Sequence, residues 1–458
     1  MLRLICSRLP QKLNHRPSKT SHANFFSTSY LKSFSGLRNS KDPQSLTVSF
    51  LQDSCGFSLE SAISYSKKLN IENLKNPNSA LDLLRNHGLT QTHISNLIRI
   101  RPLLLSADLD NTLMPNIKVF ESLGFSGSSL AKMLSKYPAV LERDAYTTVE
   151  FFRAHGFSDK QITTLTMKLP SLYMYNADKI FKPKLEFFKS LGLSDLEIAE
   201  ILSAAPSVLE TSLEKQIIPC VQELRRILGT DENVLNVIKA YCPVIRANVG
   251  HVLQPNIATL LSHGVPQSLV LKLFLNRPSS LLICGNRFSE IASEVMKLGF
   301  DPNCLNFVDA IMSMSQNSKT LWEQKVEAFR SFGLSDDQIC SAFKRGPLCM
   351  TASMKKIKKM MGFFVNKLKM NPSMISKNPN LVRLSLEKRI IPRCSVLQLL
   401  MLKGLIKEDT SIVYTLQMSE KKFMEKFVSK YQNEVPDVVK ANQGTIEFQG
   451  LPIASMET

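Results

Sequence analysis

Residues 184–210 read KLEFFKSLGLSDLEIAEILSAAPSVLE, and this stretch spells out helix, stop, helix, stop. Pro183 stands just before it, where a helix's first turn tolerates a missing N–H. Leu185, Phe188 and Leu191 recur at helical spacing and mark one apolar face. Gly192 suits the left-handed conformation that ends many helices. Ser194 with Glu197 forms a capping box, in which hydroxyl and carboxylate each satisfy an exposed backbone N–H. Ile198, Ile201, Leu202 and Ala205 make a second apolar stripe. Pro206 closes it, because the residue before proline avoids the helical region.

The same cadence runs along the chain. Glycine and proline stand 14 positions apart at Gly88/Pro102, Gly124/Pro138, Gly156/Pro170, Gly192/Pro206, Gly229/Pro243, Gly264/Pro278 and Gly333/Pro347. An eighth repeat has Gly299 with Ser313 in place of proline. A shorter ninth ends at Pro379, with Lys369 where glycine is expected. Two residues after each glycine, the cap slot holds Thr90, Ser126, Ser158, Ser194, Asp231, Asp301 and Ser335, and only Pro266 departs. Gln161 and Gln338 complete capping boxes. Residues at or near the second position after proline (Leu104, Val140, Leu172, Val208, Ile245, Leu381) are expected to anchor a short third helix. Glycines recur every 32 to 37 residues, the period of a helical solenoid whose short helices bury their faces only by stacking. The fold class read here is all-α: a superhelical solenoid of about nine two-to-three-helix repeats. Tetratricopeptide repeats share the period but place their proline later and need a tryptophan slot. Trp322 is the only tryptophan.

The 458 residues, 44% hydrophobic, can bury a large core. No run reaches the 18 or so apolar residues of a membrane span. VLQLLML, residues 396–402, fits a buried helix. Nine scattered cysteines (Cys6, Cys55, Cys220, Cys242, Cys284, Cys304, Cys340, Cys349 and Cys394) form no metal-binding pair and read as reduced core thiols. His87, His155 and His263 each precede a repeat glycine, where other repeats carry leucine or phenylalanine, so they read as packing residues. Met312, Met314, Met360 and Met361 read as core filling. No nucleophile elbow, phosphate loop, zinc motif or carboxylate pair appears. The chain reads as no enzyme, with no cofactor and no metal.

Residues 1–41 carry eight Lys/Arg and no acid, with many serines and an amphipathic start. That composition describes an organellar transit peptide, mitochondrial by preference and chloroplast as the alternative. A polar connector is expected over 42–77, the array over 78–410, a basic C-terminal helix over 411–430 and a disordered tail over 431–458. Charge is uneven. Of the formal +18, the presequence supplies +8, residues 344–430 supply +14, and the remainder sums to −4. In SMKKIKKMMGFFVNKLKM, residues 353–370, Met354, Ile357, Met361, Phe364 and Leu368 share a face. Lys355, Lys356, Lys358 and Lys359 largely take the other. Lys344, Arg345, Lys377, Arg383, Lys388, Arg389 and Arg393 come from neighbouring repeats, and clustered unpaired cations are the footprint of a polyanion partner. A weaker row, Arg99, Arg101, Lys136, Lys168, Lys239 and Arg277, precedes the prolines, where cations also complement a helix dipole.

The G-(L/F)-S…P cadence, together with SLEKRIIPRCSVLQLLMLKGLIK at 385–407, resembles the mitochondrial transcription termination factor (mTERF) family, especially its plant branch. The likeness covers roughly residues 76–410. It implies a superhelix of three-helix repeats curved into a half-ring with a basic groove. It further implies binding of double-stranded DNA or RNA in mitochondria or chloroplasts, in transcription termination or initiation, intron splicing or ribosome biogenesis. Organellar transcription, splicing or ribosomal proteins are implied as further partners, with no membrane, for a monomer. The competing reading is a solenoid scaffold for protein partners in ribosome or polymerase assembly, favoured by the near-neutral central repeats.

Overall fold

A computed structural model describes residues 43–407 and 410–451, which hold helices and no strand. They form two compact bodies, 43–246 and 247–451. Within each body the repeats stack like on like. First helices pack on first helices, second on second, and the short third elements on one another.

The quoted stretch folds as its sequence dictates. Helices Lys182–Ser190 and Asp195–Ala204 flank Gly192, whose φ of +98° only glycine adopts without strain. Ser194 accepts from the Glu197 N–H while Glu197 reaches back to the Ser194 N–H at 3.0 Å. Leu185, Phe188, Ile198 and Leu202 are buried, each stabilising the fold by about 1.5–3 kcal/mol. Capping boxes also form at Ser158/Gln161 and Ser335/Gln338. Lys369, in the ninth repeat's glycine slot, takes φ +53°, so the turn persists without glycine.

The third element is a single 3-10 turn opening on the proline, as in Pro138–Glu142 and Pro206–Glu210. Leu104, Val140, Leu172, Val208, Ile245 and Leu381 are all buried beneath it.

Several expectations need correction. Residues 42–77 are not a polar connector. Helices Pro43–Asp53 and Leu59–Ser66 pack together around Phe50, Leu51, Cys55 and Phe57, with Ser58 as N-cap. Thr230, not Asp231, caps its helix, because its hydroxyl accepts from the Asn233 N–H. Asp301 caps a turn: the next helix begins at Leu305, and the carboxylate accepts from the Asn303 N–H. With no proline at Ser313, helix Leu305–Ser315 runs on and no 3-10 turn follows. Ser313 instead donates its hydroxyl to Pro347 O at 2.8 Å. The stretch 411–430 is broken at Met418 into Ile412–Gln417 and a second helical piece from Glu420. Residues 431–451 are no disordered tail, since Val435, Val438 and Ala441 close over Val396, Leu397 and Leu400. Residues 1–42, with the expected transit peptide, residues 408 and 409 and the last seven residues lie outside the described residues.

Cys55, Cys220, Cys242, Cys349 and Cys394 are buried as expected, whereas Cys284 and Cys304 are exposed and are not core thiols. Burial pushes the Cys220, Cys242 and Cys349 thiols up to about 12, which leaves them unreactive. His155 and His263 fold back on the carbonyls of Phe151 and Thr259, each at 2.7 Å.

One recurring device has no counterpart in the glycine–proline reading. The residue after the first-helix proline is polar and buried: Asn116, Lys184, Asn256 and Arg393, with Cys220 in the same slot. Each donates to a backbone carbonyl at or beyond the end of the same repeat. Asn116 reaches Leu141 O at 2.8 Å, Cys220 reaches Val244 O at 3.3 Å, and Asn256 reaches Leu281 O at 2.9 Å. Lys184 donates to Leu209 O, and Lys325 reaches Met350 O at 2.7 Å. These carbonyls belong to the 3-10 turns that close the repeats, whose last C=O groups have no helical N–H to satisfy them.

Candidate nucleic-acid interface

The basic residues divide by what their side chains touch. In the body 43–246 the cations before the prolines are engaged. Lys136 Nζ donates to Met167 O at 2.7 Å, and Lys168 Nζ to Ser203 O and Ala204 O at 3.2 and 3.1 Å. Each lysine thereby caps the second helix of the next repeat, where backbone carbonyls are left open. Arg101 pairs with Glu142 at 2.8 Å and Lys239 with Glu197 at 2.7 Å. The Arg99 guanidinium lies 5.5 Å from the Phe57 ring centre.

The body 247–451 differs. Arg277, Lys344, Arg345 and Lys377 end the second helices of their repeats, exposed and without a side-chain partner among the described residues. Lys355 and Lys358 on helix Met354–Gly362, Arg383 at the end of the turn Pro379–Arg383, and Lys388 share that state. The apolar face of Met354–Gly362 is buried at Ile357 and Met361, with Phe364 and Leu368 continuing it. That burial directs Lys355, Lys358 and Lys359 to solvent. Successive repeats approach closely here. A Cβ on Gly346 would fall 2.9 Å from Pro379 Cγ, so the two junctions are in contact.

Other expected contacts are spent inside the fold. Arg393 is 1% exposed. It donates to Thr415 O, Leu416 O and Met418 O, pairs with Glu420 at 2.7 Å, and lies over the Phe423 ring. It closes the carbonyl end of Ile412–Gln417 and cannot touch a ligand, which corrects the sequence reading. Arg389 donates to the carbonyls of Leu416, Gln417 and Met418. Lys359 pairs with Glu387, and Lys356 donates to Arg383 O at 2.5 Å.

A residue that charge counting passed over is Asp309. It is half-buried on helix Leu305–Ser315 with no hydrogen-bond partner among the described residues. Burial pushes its carboxyl above the usual aspartate value, while Arg383 and Lys272 pull it down. Among the described residues no group of three or more His, Cys, Asp or Glu is placed to hold a metal ion, and no helix is long and apolar enough to cross a membrane.

The stacked helix–glycine–helix–proline repeats are the pattern that a family profile recognises. The mTERF profile matches residues 81–150, 149–312 and 302–424. The chain belongs to the mTERF family. mTERF proteins are organellar, bind nucleic acids through helical repeats and act in transcription regulation, and theirs is not an enzyme family. No curated protein matches the chain.

Proposed function

We propose that this mTERF protein regulates mitochondrial gene expression by holding a nucleic-acid backbone on its body 247–451. The observation that carries this reading is the set of exposed, unpartnered cations Arg277, Lys344, Arg345, Lys355, Lys358, Lys377, Arg383 and Lys388. Cations that a fold uses for itself find carbonyls or carboxylates, as Lys136, Lys168 and Arg393 do. These eight find neither: Arg277, Lys344, Arg345, Lys377 and Arg383 stand at repeat ends, and Lys355, Lys358 and Lys388 on the segments that follow such ends. Phosphates supply the missing charge. The acid-free residues 1–41 support delivery to the mitochondrion, with the chloroplast as the alternative. The regulated step is transcription termination or a related event such as intron splicing.

The test is salt dependence. Each lysine or arginine on phosphate releases counterions, so log affinity falls with log salt by about 0.9 per contact on duplex DNA and about 0.7 on single strands. The quadruple variant Lys344→Gln, Arg345→Gln, Lys355→Gln, Lys358→Gln removes exposed, unpartnered charge and is expected to fold. Its duplex slope is expected to be shallower by roughly 2 to 4, with all sequences weakened alike. A folded variant with an unchanged slope overturns this assignment.

The scaffold reading rests on a different observation. In the body 43–246 the cations before the prolines are engaged, while Ile100, Leu103, Tyr137 and Tyr175 stand exposed near the same junctions. Loss of a protein partner on substitution there, with nucleic-acid binding intact, supports that second role.

A further inference from the structure

In four repeats the residue eight positions before the glycine, Asn116, Lys184, Asn256 or Lys325, donates to a carbonyl of that repeat's third turn. That face of a first helix therefore looks onto the third turn. The eighth repeat has no such turn, and only Gln316, Asn317 and Ser318 separate helices Leu305–Ser315 and Lys319–Arg330. Its slot, eight before Gly299, holds Ile291, which is buried and has nothing to donate. Here a cleft of about 410 Å³ opens between helices Gly285–Lys297 and Lys319–Arg330. Ile291 is its floor, and Arg287, Glu290, Glu294, Ser318 and Lys319 are its walls. The space that a third turn fills elsewhere is open. The cleft is also held in shape. Arg287 Nη2 donates to Asn317 O at 2.5 Å, and Asn317 Nδ2 donates to Ser313 O at 2.7 Å and Met350 O at 3.2 Å. Glu290 and Lys319 stand exposed on opposite walls, and among the described residues neither has a side-chain partner.

We infer that this cleft docks a proline-led turn of a partner protein, seated where the eighth repeat lacks a third turn of its own. The other repeats show which chemistry fits against such a helix face. A proline opens the turn and apolar residues pack inwards, as Val140 and Leu141 do in Pro138–Glu142. The partner sets an apolar side chain on Ile291, a carboxylate opposite Lys319 and a cation opposite Glu290. Glu290 and Glu294 repel a phosphate backbone, so the walls favour a peptide over a nucleic acid. Solenoids commonly offer protein partners such surfaces, and a cleft already held open loses little freedom on binding. The inference goes beyond the nucleic-acid reading, which uses none of these six residues.

The experiment titrates the full chain with the acetylated, amidated peptide PAVLER, the sequence of residues 138–143, and reads binding by saturation-transfer NMR. The dissociation constant is expected to be about 1 mM. A second peptide, with glutamine in place of the Glu142 and Arg143 equivalents, is expected to bind about fivefold more weakly, the scale of two exposed ion pairs. The double variant Glu290→Gln, Lys319→Gln alters only exposed, unpartnered groups and is expected to melt as the wild type does. It is expected to bind both peptides at the weaker level. The quadruple Lys344, Arg345, Lys355, Lys358 variant is expected to bind PAVLER as the wild type does. Absence of PAVLER binding at about 10 mM, or equal binding of the two peptides, overturns the inference. Full binding by the double variant overturns it as well. Loss of binding in the quadruple variant, or displacement of the peptide by an oligonucleotide, places the peptide on the nucleic-acid surface and overturns it too. Each of these results leaves the proposed function standing, because that function is read from the salt slope and not from peptide binding.

Discussion

Arg383 and Arg393 share one basic stretch, and the fold uses them in opposite ways. Arg393 satisfies three carbonyls and a carboxylate from a buried position. Arg393→Ala is expected to lower unfolding free energy by about 3 kcal/mol or more, since it orphans buried acceptors. Arg383→Ala is expected to leave a denaturant melt unchanged and to weaken nucleic-acid binding. Charge counting treated the two alike because it carries no information on burial. A signal was present nonetheless: Asn116, Lys184, Asn256 and Arg393 each follow a first-helix proline, so a polar residue recurs inside an apolar run. A different test belongs to Glu197. Lys239 and the Ser194 backbone and hydroxyl hold its carboxyl at about 2, below the usual 4.5. A depressed pKa stabilises the folded state above the unfolded value, and the gain is lost as pH falls from about 4.5 towards about 2. Glu197→Gln is expected to melt below wild type at pH 7, with the gap closing across that acidic window in scanning calorimetry.

At the scale of the element, the glycine–proline grammar was legible because each slot has a local mechanical cause. Gly192 turns left-handed, Ser194 caps, and the chain before Pro206 leaves the helix. Where the cause is not local, reading failed. Gly56, Phe57 and Ser58 repeat the wording of Gly124–Ser126 and Gly156–Ser158, and Ser58 caps a helix. No proline lies 14 residues beyond Gly56, however, so nothing local marks this pair of helices as a repeat. Residues 431–451 carry no such grammar, and only their packing against Val396, Leu397 and Leu400 gives them structure. The lysine caps between repeats were invisible for the same reason, since their acceptors belong to the next repeat. Lys168→Gln is expected to lower stability by about 1 kcal/mol, the scale of a lost capping contact, measured by urea denaturation. Its salt slope for DNA binding is expected to match wild type, in contrast to the quadruple variant of the other body.

For the whole molecule, the uneven charge is the fact that composition alone conceals. Removal of the presequence within residues 25–42 is expected on import, because the acid-free segment ends there. Sequencing the N-terminus of the protein recovered from mitochondria checks this, and an intact Met1 would argue against the address. The proteins's bodies share one construction rule, and the buried donors set its reach. From Asn116 to Leu141, from Lys184 to Leu209 and from Lys325 to Met350 the span is 25 residues, shorter than one repeat period. A repeat can therefore complete its own longest polar tie soon after its last residue leaves the ribosome, without waiting for chain that has yet to be made. Long-range pairings delay folding and leave apolar surface open to aggregation. An array tied in this way can grow in the direction of synthesis, each finished repeat offering the next a surface on which to settle.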